Sequence, residues 1–184
     1  MVEQNLADGK PMRVYIAERG GEVWAATVHD DRHPRSEDEF LWTLRRNSPA
    51  QHCTFAKAPE ALHAGVRQLT EYFAGRRLAF DVPIGFEGTP FQMRVWEMLT
   101  QIPYGATRSY KQMAESIGHP TAFRAVGNAN GKNRIPILVP CHRVLASGGK
   151  LGGFTGGTGL KKRLLAHEAA VLGSRDGKDL APGE

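Results

Sequence analysis

Two prolines set the tightest constraint on this chain. Pro136 and Pro140 bracket Ile137-Leu138-Val139, an apolar, largely β-branched run too short for a helix. Proline lacks an amide donor, so neither residue can sit inside a central strand. The run reads as a short buried strand that delivers Cys141 at its end. His142 and Arg143 follow at once. A thiol reacts as its thiolate, and a neighbouring imidazole, guanidinium or helix N-terminus lowers its pKa from about 8.5 towards neutrality. Adjacent residues on an extended chain face opposite sides, so His142 needs a turn or a bridging water to reach the sulfur. On these residues alone, a buried structural cysteine beside two surface cations is an equal alternative.

Around that stretch the elements alternate in type. Arg13 to Ala17 and Glu22 to Val28 alternate apolar and polar on either side of Gly20-Gly21, a hairpin signal. His29 to Glu39 is polar and turn-rich, and a mixed stretch follows around Phe40 to Leu44. Leu62, Val66, Leu69 and Phe73 predict a helix over 59–74, with Gly75 as its stop. Leu78 to Val82 alternates like an edge strand, and 83–88 reads as a linker. Thr89-Pro90-Phe91-Gln92 and Ser109-Tyr110-Lys111-Gln112 are both capping-box starts. A third helix is expected from Thr121 to about Ala129, making a helix-turn-helix with its predecessor. The segment 148–157 is too rich in glycine for a regular element and suits close backbone approach to a flat ligand. The last helix is expected from about Gly159 to Val171. The sum is an α+β chain. Residues 1–88 form a small N-terminal α/β domain with an antiparallel sheet, and 89–173 a mainly helical domain carrying the helix-turn-helix and Cys141. Residues 174–184 are expected to be a disordered tail.

Charge narrows the class of partner. Residues 1–89 carry 11 Lys+Arg against 13 Asp+Glu, whereas residues 105–170 carry ten cations against Glu115 and Glu168 alone. A region so stripped of acids attracts a polyanion, and nucleic acid fits best. No stretch approaches the roughly 18 apolar residues of a membrane helix. The start shows no signal-peptide pattern, and two cysteines, Cys53 and Cys141, suit a reducing compartment, with cytoplasm the expected location.

Pro140-Cys141-His142-Arg143-Val144 resembles the active-site signature of the O6-alkylguanine-DNA alkyltransferases, or methylated-DNA–protein-cysteine methyltransferases. The likeness runs from about Thr89 to Gly173, with Tyr110, Arg124, Asn133, the glycine-rich segment and Glu168 all at the family's spacing from Cys141. The resemblance implies irreversible, single-turnover transfer of an alkyl group from O6-alkylguanine, and from O4-alkylthymine, in duplex DNA to Cys141. It implies that the base is first flipped out through the minor groove. Cys141 would be the nucleophile and His142 a base acting through water. Glu168 would hold the imidazole, Asn133 would brace the turn, and Tyr110 would donate to the leaving base. Arg124 would fill the vacated stack, with Thr121, Ala125, Gly127, Asn128 and Ala129 along the DNA-facing helix. Val144, Phe154, Thr155 and Gly156 would line the base pocket. No cofactor and no metal are expected, and cooperative self-association on DNA is left open.

Three departures qualify the likeness. Thr155 stands where the family usually has Ser, and Phe154 where Tyr is common, so no hydroxyl contact can come from position 154. The family's usual opening is not recognisable in residues 1–88. The structural zinc of some relatives lacks its second cysteine here, since Cys53 is alone among His29, His33, His52 and His63. The residues by themselves leave two other classes open, a DNA-binding damage sensor with an idle cysteine and a Cys-His hydrolase. The basic region and Arg124 have no purpose in the hydrolase.

Overall fold

The computed structural model describes residues 1–30, 37–47 and 63–179. An antiparallel sheet opens the chain, ordered β1 (Val2–Asn5), β2 (Pro11–Arg19), β3 (Glu22–Asp30). The last two are the hairpin that the alternation predicts. Gly20 and Gly21 turn it with φ of 62° and 86°, the left-handed pair that matches the twist of the flanking strands. Met12, Val14 and Ile16 face the main core, while Tyr15 and Ala17 face Phe40 and Leu44 of α1 (Glu37–Asn47). Helix α2 (His63–Phe73) lies where Val66, Leu69 and Phe73 place it, and Gly75 follows with φ of 69°. The expected start of that helix, 59–62, lies outside the described residues, as do Cys53, His33 and His52.

Leu78 to Val82 is not a strand. Its apolar residues pack on the core as irregular chain, and the amide of Asp81 donates to the Gln68 side chain instead of a ladder. Pairing comes just afterwards, in the expected linker, where Ile84 bridges Val23. The Val23 amide donates to the Pro83 carbonyl, and Gly85 donates back to Val23. Alternation here reports side-chain packing rather than strand pairing.

The second half is helical. Both capping boxes are present, Thr89 with Gln92 starting α3 (Pro90–Thr100) and Ser109 with Gln112 starting α4 (Tyr110–Ser116). Helix α5 (Phe123–Gly131) completes the helix-turn-helix and is tied to α3 by the Trp96 indole donating to the Ala129 carbonyl, 2.9 Å. Two short parallel strands, β4 (Arg108–Ser109) and β5 (Val144–Leu145), clip the start of α4 beside the end of the Cys141 segment. The last helix, α6 (Gly157–Asp179), runs past Val171 through 174–179, where a disordered tail was expected. One core joins the halves: Val14 of β2, Leu69 and Tyr72 of α2, Leu99 of α3 and Leu164 of α6 belong to the same buried cluster. Among the described residues no helix is long and apolar enough to cross a membrane.

Candidate active site

The proline-bracketed run is a turn, not the strand that its composition suggests. Ile137 takes φ of 76°, a left-handed conformation that is strained for a β-branched residue by about 1–3 kcal/mol. Asn133 holds it there. Its amide nitrogen donates to the Val139 carbonyl at 2.9 Å, its oxygen accepts from the Ile135 amide at 2.9 Å, and the Val139 amide closes the loop onto the Ile135 carbonyl. At Pro140 (φ −80°, ψ 59°) the chain makes an inverse γ-turn, with the Cys141 amide on the Val139 carbonyl at 2.8 Å. A single 3-10 turn, Cys141–Arg143, follows and removes the opposite-face alternation of an extended chain.

That turn buries all three side chains. His142 Nε2 lies 2.8 Å from Glu168 Oε1. Glu168 is fully buried and collects further donors: the Tyr72 hydroxyl at 2.8 Å, the Gly105 amide at 2.9 Å and the Arg143 guanidinium, whose Nη2 stands 2.9 Å away. Burial alone would raise its pKa, but the hydrogen bonds and charges of His142 and Arg143 outweigh it and hold the carboxyl at about 2. An ionised carboxylate can only accept, so Nε2 carries the imidazole proton and Nδ1 carries a lone pair. Nδ1 is buried and makes no hydrogen bond among the described residues. Burial lowers the pKa of His142 against the pull of Glu168, which keeps the ring neutral. Gly105, at φ of 72°, must be glycine on two counts, since a Cβ there would also stand 2.2 Å from Leu172 of α6.

Arg143 is not the thiol's cation. Besides Glu168 it donates to the Ile102 carbonyl at 2.6 Å and stacks over the Tyr104 ring, all away from solvent. Burial pushes the Cys141 thiol up to about 11, opposed by an Asn133 hydrogen bond, the charge of Lys161 and the amides of Cys141 and His142. The thiol is therefore protonated at rest, contrary to the expectation of a pKa near neutrality. Lys161, one of the ten cations of 105–170, is buried with its ammonium on the carbonyls of Val144 (2.5 Å) and Gly153 (3.4 Å). Its own pKa is lowered by burial and raised by Cys141.

Tyr110 stands at the first position of α4, its pKa raised by burial and then by the Cys141 charge. Its ring lies between α5 and the glycine segment, 3.8 Å from where a Cβ on Gly127 would be and 3.1 Å from one on Gly152. Asn130, which the sequence reading passed over, is buried beside it and reaches the Cys141 carbonyl at 3.4 Å. Phe154 faces His142 edge-on at 6.5 Å. Gly156 packs under that ring, and Thr155 lies on the surface with its hydroxyl 3.4 Å from the Gly131 carbonyl. The Val144 amide donates to the Cys141 carbonyl.

Around the helix-turn-helix, Thr121, Arg124, Ala125 and Asn128 are exposed together, and the guanidinium of Arg124 lies over the exposed Phe123 ring. Ala129 does not share that face. It is buried against α3, and Gly127 is half-buried against Tyr110. The basic region is likewise smaller than its sequence count. Arg143 and Lys161 are internal, and Arg163 is committed to Asp8 and Asp30 at 2.7 and 3.1 Å. Among the described residues no group of three or more His, Cys, Asp or Glu side chains could hold a metal.

Residues 90–170 match the family model described as 6-O-methylguanine DNA methyltransferase, DNA binding domain. Over 110 residues, 60% of this chain and 67% of the relative, the chain is 54% identical to the methylated-DNA–protein-cysteine methyltransferase of Mycobacterium tuberculosis. Its structure is similar to that of the M. tuberculosis OGT in complex with DNA, with a TM-score of 0.70 and 39% identity over 88% of each chain. It is similar also to the O6-methylguanine-DNA methyltransferase of the archaeon Pyrococcus kodakaraensis, with a TM-score of 0.61 and 26% identity over 90% of this chain and 96% of the other.

Proposed function

The chain belongs to the methylated-DNA–protein-cysteine methyltransferase family, and from that premise we propose that it repairs duplex DNA by one irreversible alkyl transfer from guanine O6 to Cys141. The observation that carries this reading is the buried set Cys141, His142 and Glu168, in which the imidazole proton is fixed on Nε2 and the lone pair on Nδ1 has no hydrogen-bond partner among the described residues. A water between Nδ1 and Sγ would take the thiol proton to His142, and Glu168 would stabilise the imidazolium formed. A resting thiol with a pKa of about 11 requires such a base. The thiolate attacks the carbon bonded to O6. A sulfur–carbon bond forms, the carbon–O6 bond breaks, and the electron pair leaves with guanine. Tyr110, kept protonated by its raised pKa, donates to the base as that charge develops. The thioether is inert, so one molecule acts once.

The target carbon lies within a stacked duplex, so the nucleotide must be extruded at a cost of a few kcal/mol. Arg124, exposed at the start of α5, would fill the gap from the minor groove, with Thr121, Ala125 and Asn128 exposed beside it. The pocket would be closed by Phe154, Gly156 and the backbone of Thr155, with the carbonyls of Cys141 and Val144 reading the base edge. O4-alkylthymine presents the same alkyl–oxygen bond and is proposed as a second substrate. Intact-mass spectrometry after incubation with O6-methylguanine duplex tests the reading. The expected result is one added alkyl group per chain, localised to the Cys141 peptide and never exceeding stoichiometry. Catalytic release of product without mass gain would replace alkyl transfer by hydrolysis.

A further inference from the structure

Among the described residues of the first half, Tyr72 hydrogen-bonds to the relay. Tyr72 of α2 is fully buried, and its hydroxyl donates to Glu168 Oε1 at 2.8 Å, the same oxygen that receives His142 Nε2. Burial and the Glu168 charge raise its pKa well above the ordinary phenol value, so it stays protonated and keeps a proton to donate. Its ring is fixed by Phe73, Phe80, Tyr104 and His167 at centroid distances of 5.2 to 5.7 Å.

The spacing between α2 and α6 is itself held by polar contacts. His167 accepts from the Ala7 amide at 3.1 Å and donates to the Tyr72 carbonyl at 3.3 Å. One turn earlier in α6, Arg163 forks onto Asp8 and Asp30 and donates to the Lys10 carbonyl. The β1–β2 connection and the end of β3 thus clamp α6 in the turn just before Glu168.

We propose that Tyr72 is a positioning residue for alkyl transfer, through which residues 1–88 set the direction and acceptor strength of Glu168 towards His142. The inference rests on the alkyltransferase reading of Cys141. Tyr72, His142 and Arg143 all donate to Oε1, so the hydroxyl draws electron density that the imidazole would otherwise receive. Without it, Glu168 becomes the stronger partner of His142 and favours the protonated ring, which cannot accept the thiol proton. The other charged or titratable groups around this pair are Tyr104 after α3, Arg143 and Cys141 in the same turn, and Lys161 and His167 on α6. The hydrogen bond that Tyr72→Phe removes is the one to Glu168.

The test is Tyr72→Phe in the full chain, reacted with free O6-benzylguanine and with O6-methylguanine duplex across pH and followed by intact mass. Loss of a hydrogen bond to a charged acceptor predicts transfer slower by about tenfold on both substrates. The acid limb of the rate–pH profile should move to higher pH, while affinity for unmodified duplex is unchanged. A lower melting temperature with an unmoved limb and an unchanged plateau rate would make Tyr72 a packing residue and overturn the proposal. If Tyr72→Phe fails to fold, Asp8→Asn with Arg163→Gln loosens the same clamp from the surface and should move the limb in the same direction. An unmoved limb there overturns it too. No transfer by the wild-type protein would instead refute the alkyltransferase reading.

Discussion

The turn at Cys141 and the exposed face of α5 lie on the same domain and are built on opposite principles. In the turn nearly every polar atom is engaged: Glu168 receives four residues, and Asn133 and Arg143 each bind backbone as well as side chain. On α5 and just before it, Thr121, Arg124, Ala125 and Asn128 look outward, with a cation resting on Phe123. Groups that perform chemistry are fixed before substrate arrives, because reorientation at the moment of reaction would raise the barrier. Groups that meet a polyanion stay solvated and mobile, because their affinity comes from counterion release rather than from fixed geometry. The same residue types thus mean different things: Arg143 is part of the buried scaffold, and Arg124 is exposed and proposed for the DNA interface.

The sharpest way to separate the two regions is Cys141→Ser. Transfer should vanish altogether, while duplex affinity by fluorescence anisotropy changes by no more than about twofold, since the residue reaches no phosphate. Transfer that persisted with the label on Cys53 would dissolve the distinction.

Glu168→Gln attacks the saturated region next. It leaves Arg143 buried without its counter-charge, which costs about 3–5 kcal/mol in denaturant unfolding. The same carboxylate gives the wild-type protein a pH dependence. Its folded pKa, about 2, lies below the unfolded value, so its contribution is full above about pH 4.5 and is lost as pH falls towards 2. Urea midpoints at pH 7 and pH 3 should therefore converge in the variant relative to the wild type.

Arg124→Ala probes the open region. It should slow repair of duplex by about 1–3 kcal/mol in transition-state terms and leave reaction with free O6-benzylguanine unaffected, because a free base has no stack to leave. Equal losses on both substrates would move Arg124 into the scaffold class.

Salt titration gives the smallest and finest effect. The wild-type slope of log affinity against log salt should be roughly −2 to −5, and Lys162→Ala should flatten it by about 1 if that exposed lysine meets phosphate. Lys161→Ala should leave the slope alone, because its ammonium is spent on the Val144 and Gly153 carbonyls.

Sequence alone reveals what is local. The glycine hairpin and both capping boxes lie within a few residues of one another, and each forms as its spacing indicates. What it misses depends on distant partners. Tyr72 lies 96 residues from Glu168 and carries no signal beyond a polar tip on an apolar helix face. Lys161 and Arg163 look like a surface run in sequence and face inward because carbonyls and Asp8 await them. The run Ile137 to Val139 misleads in a different manner. Its composition favours extended chain, but Asn133 offers hydrogen bonds that stabilise a turn at the cost of a strained isoleucine. A polar residue a few positions before a proline-bracketed run is the one local hint of that outcome.

The shared core has a consequence for how the molecule comes apart. Because Val14, Leu69 and Tyr72 pack in one cluster with Leu99 and Leu164, neither half can open without exposing apolar surface on the other. Such a chain unravels as a single cooperative unit rather than domain by domain. In hydrogen–deuterium exchange, the central amides of β2 and those of α6 near Glu168 would share one protection limit, that of global opening. Cys141 belongs to that same cluster, so the geometry around the thiol lasts as long as the entire fold does.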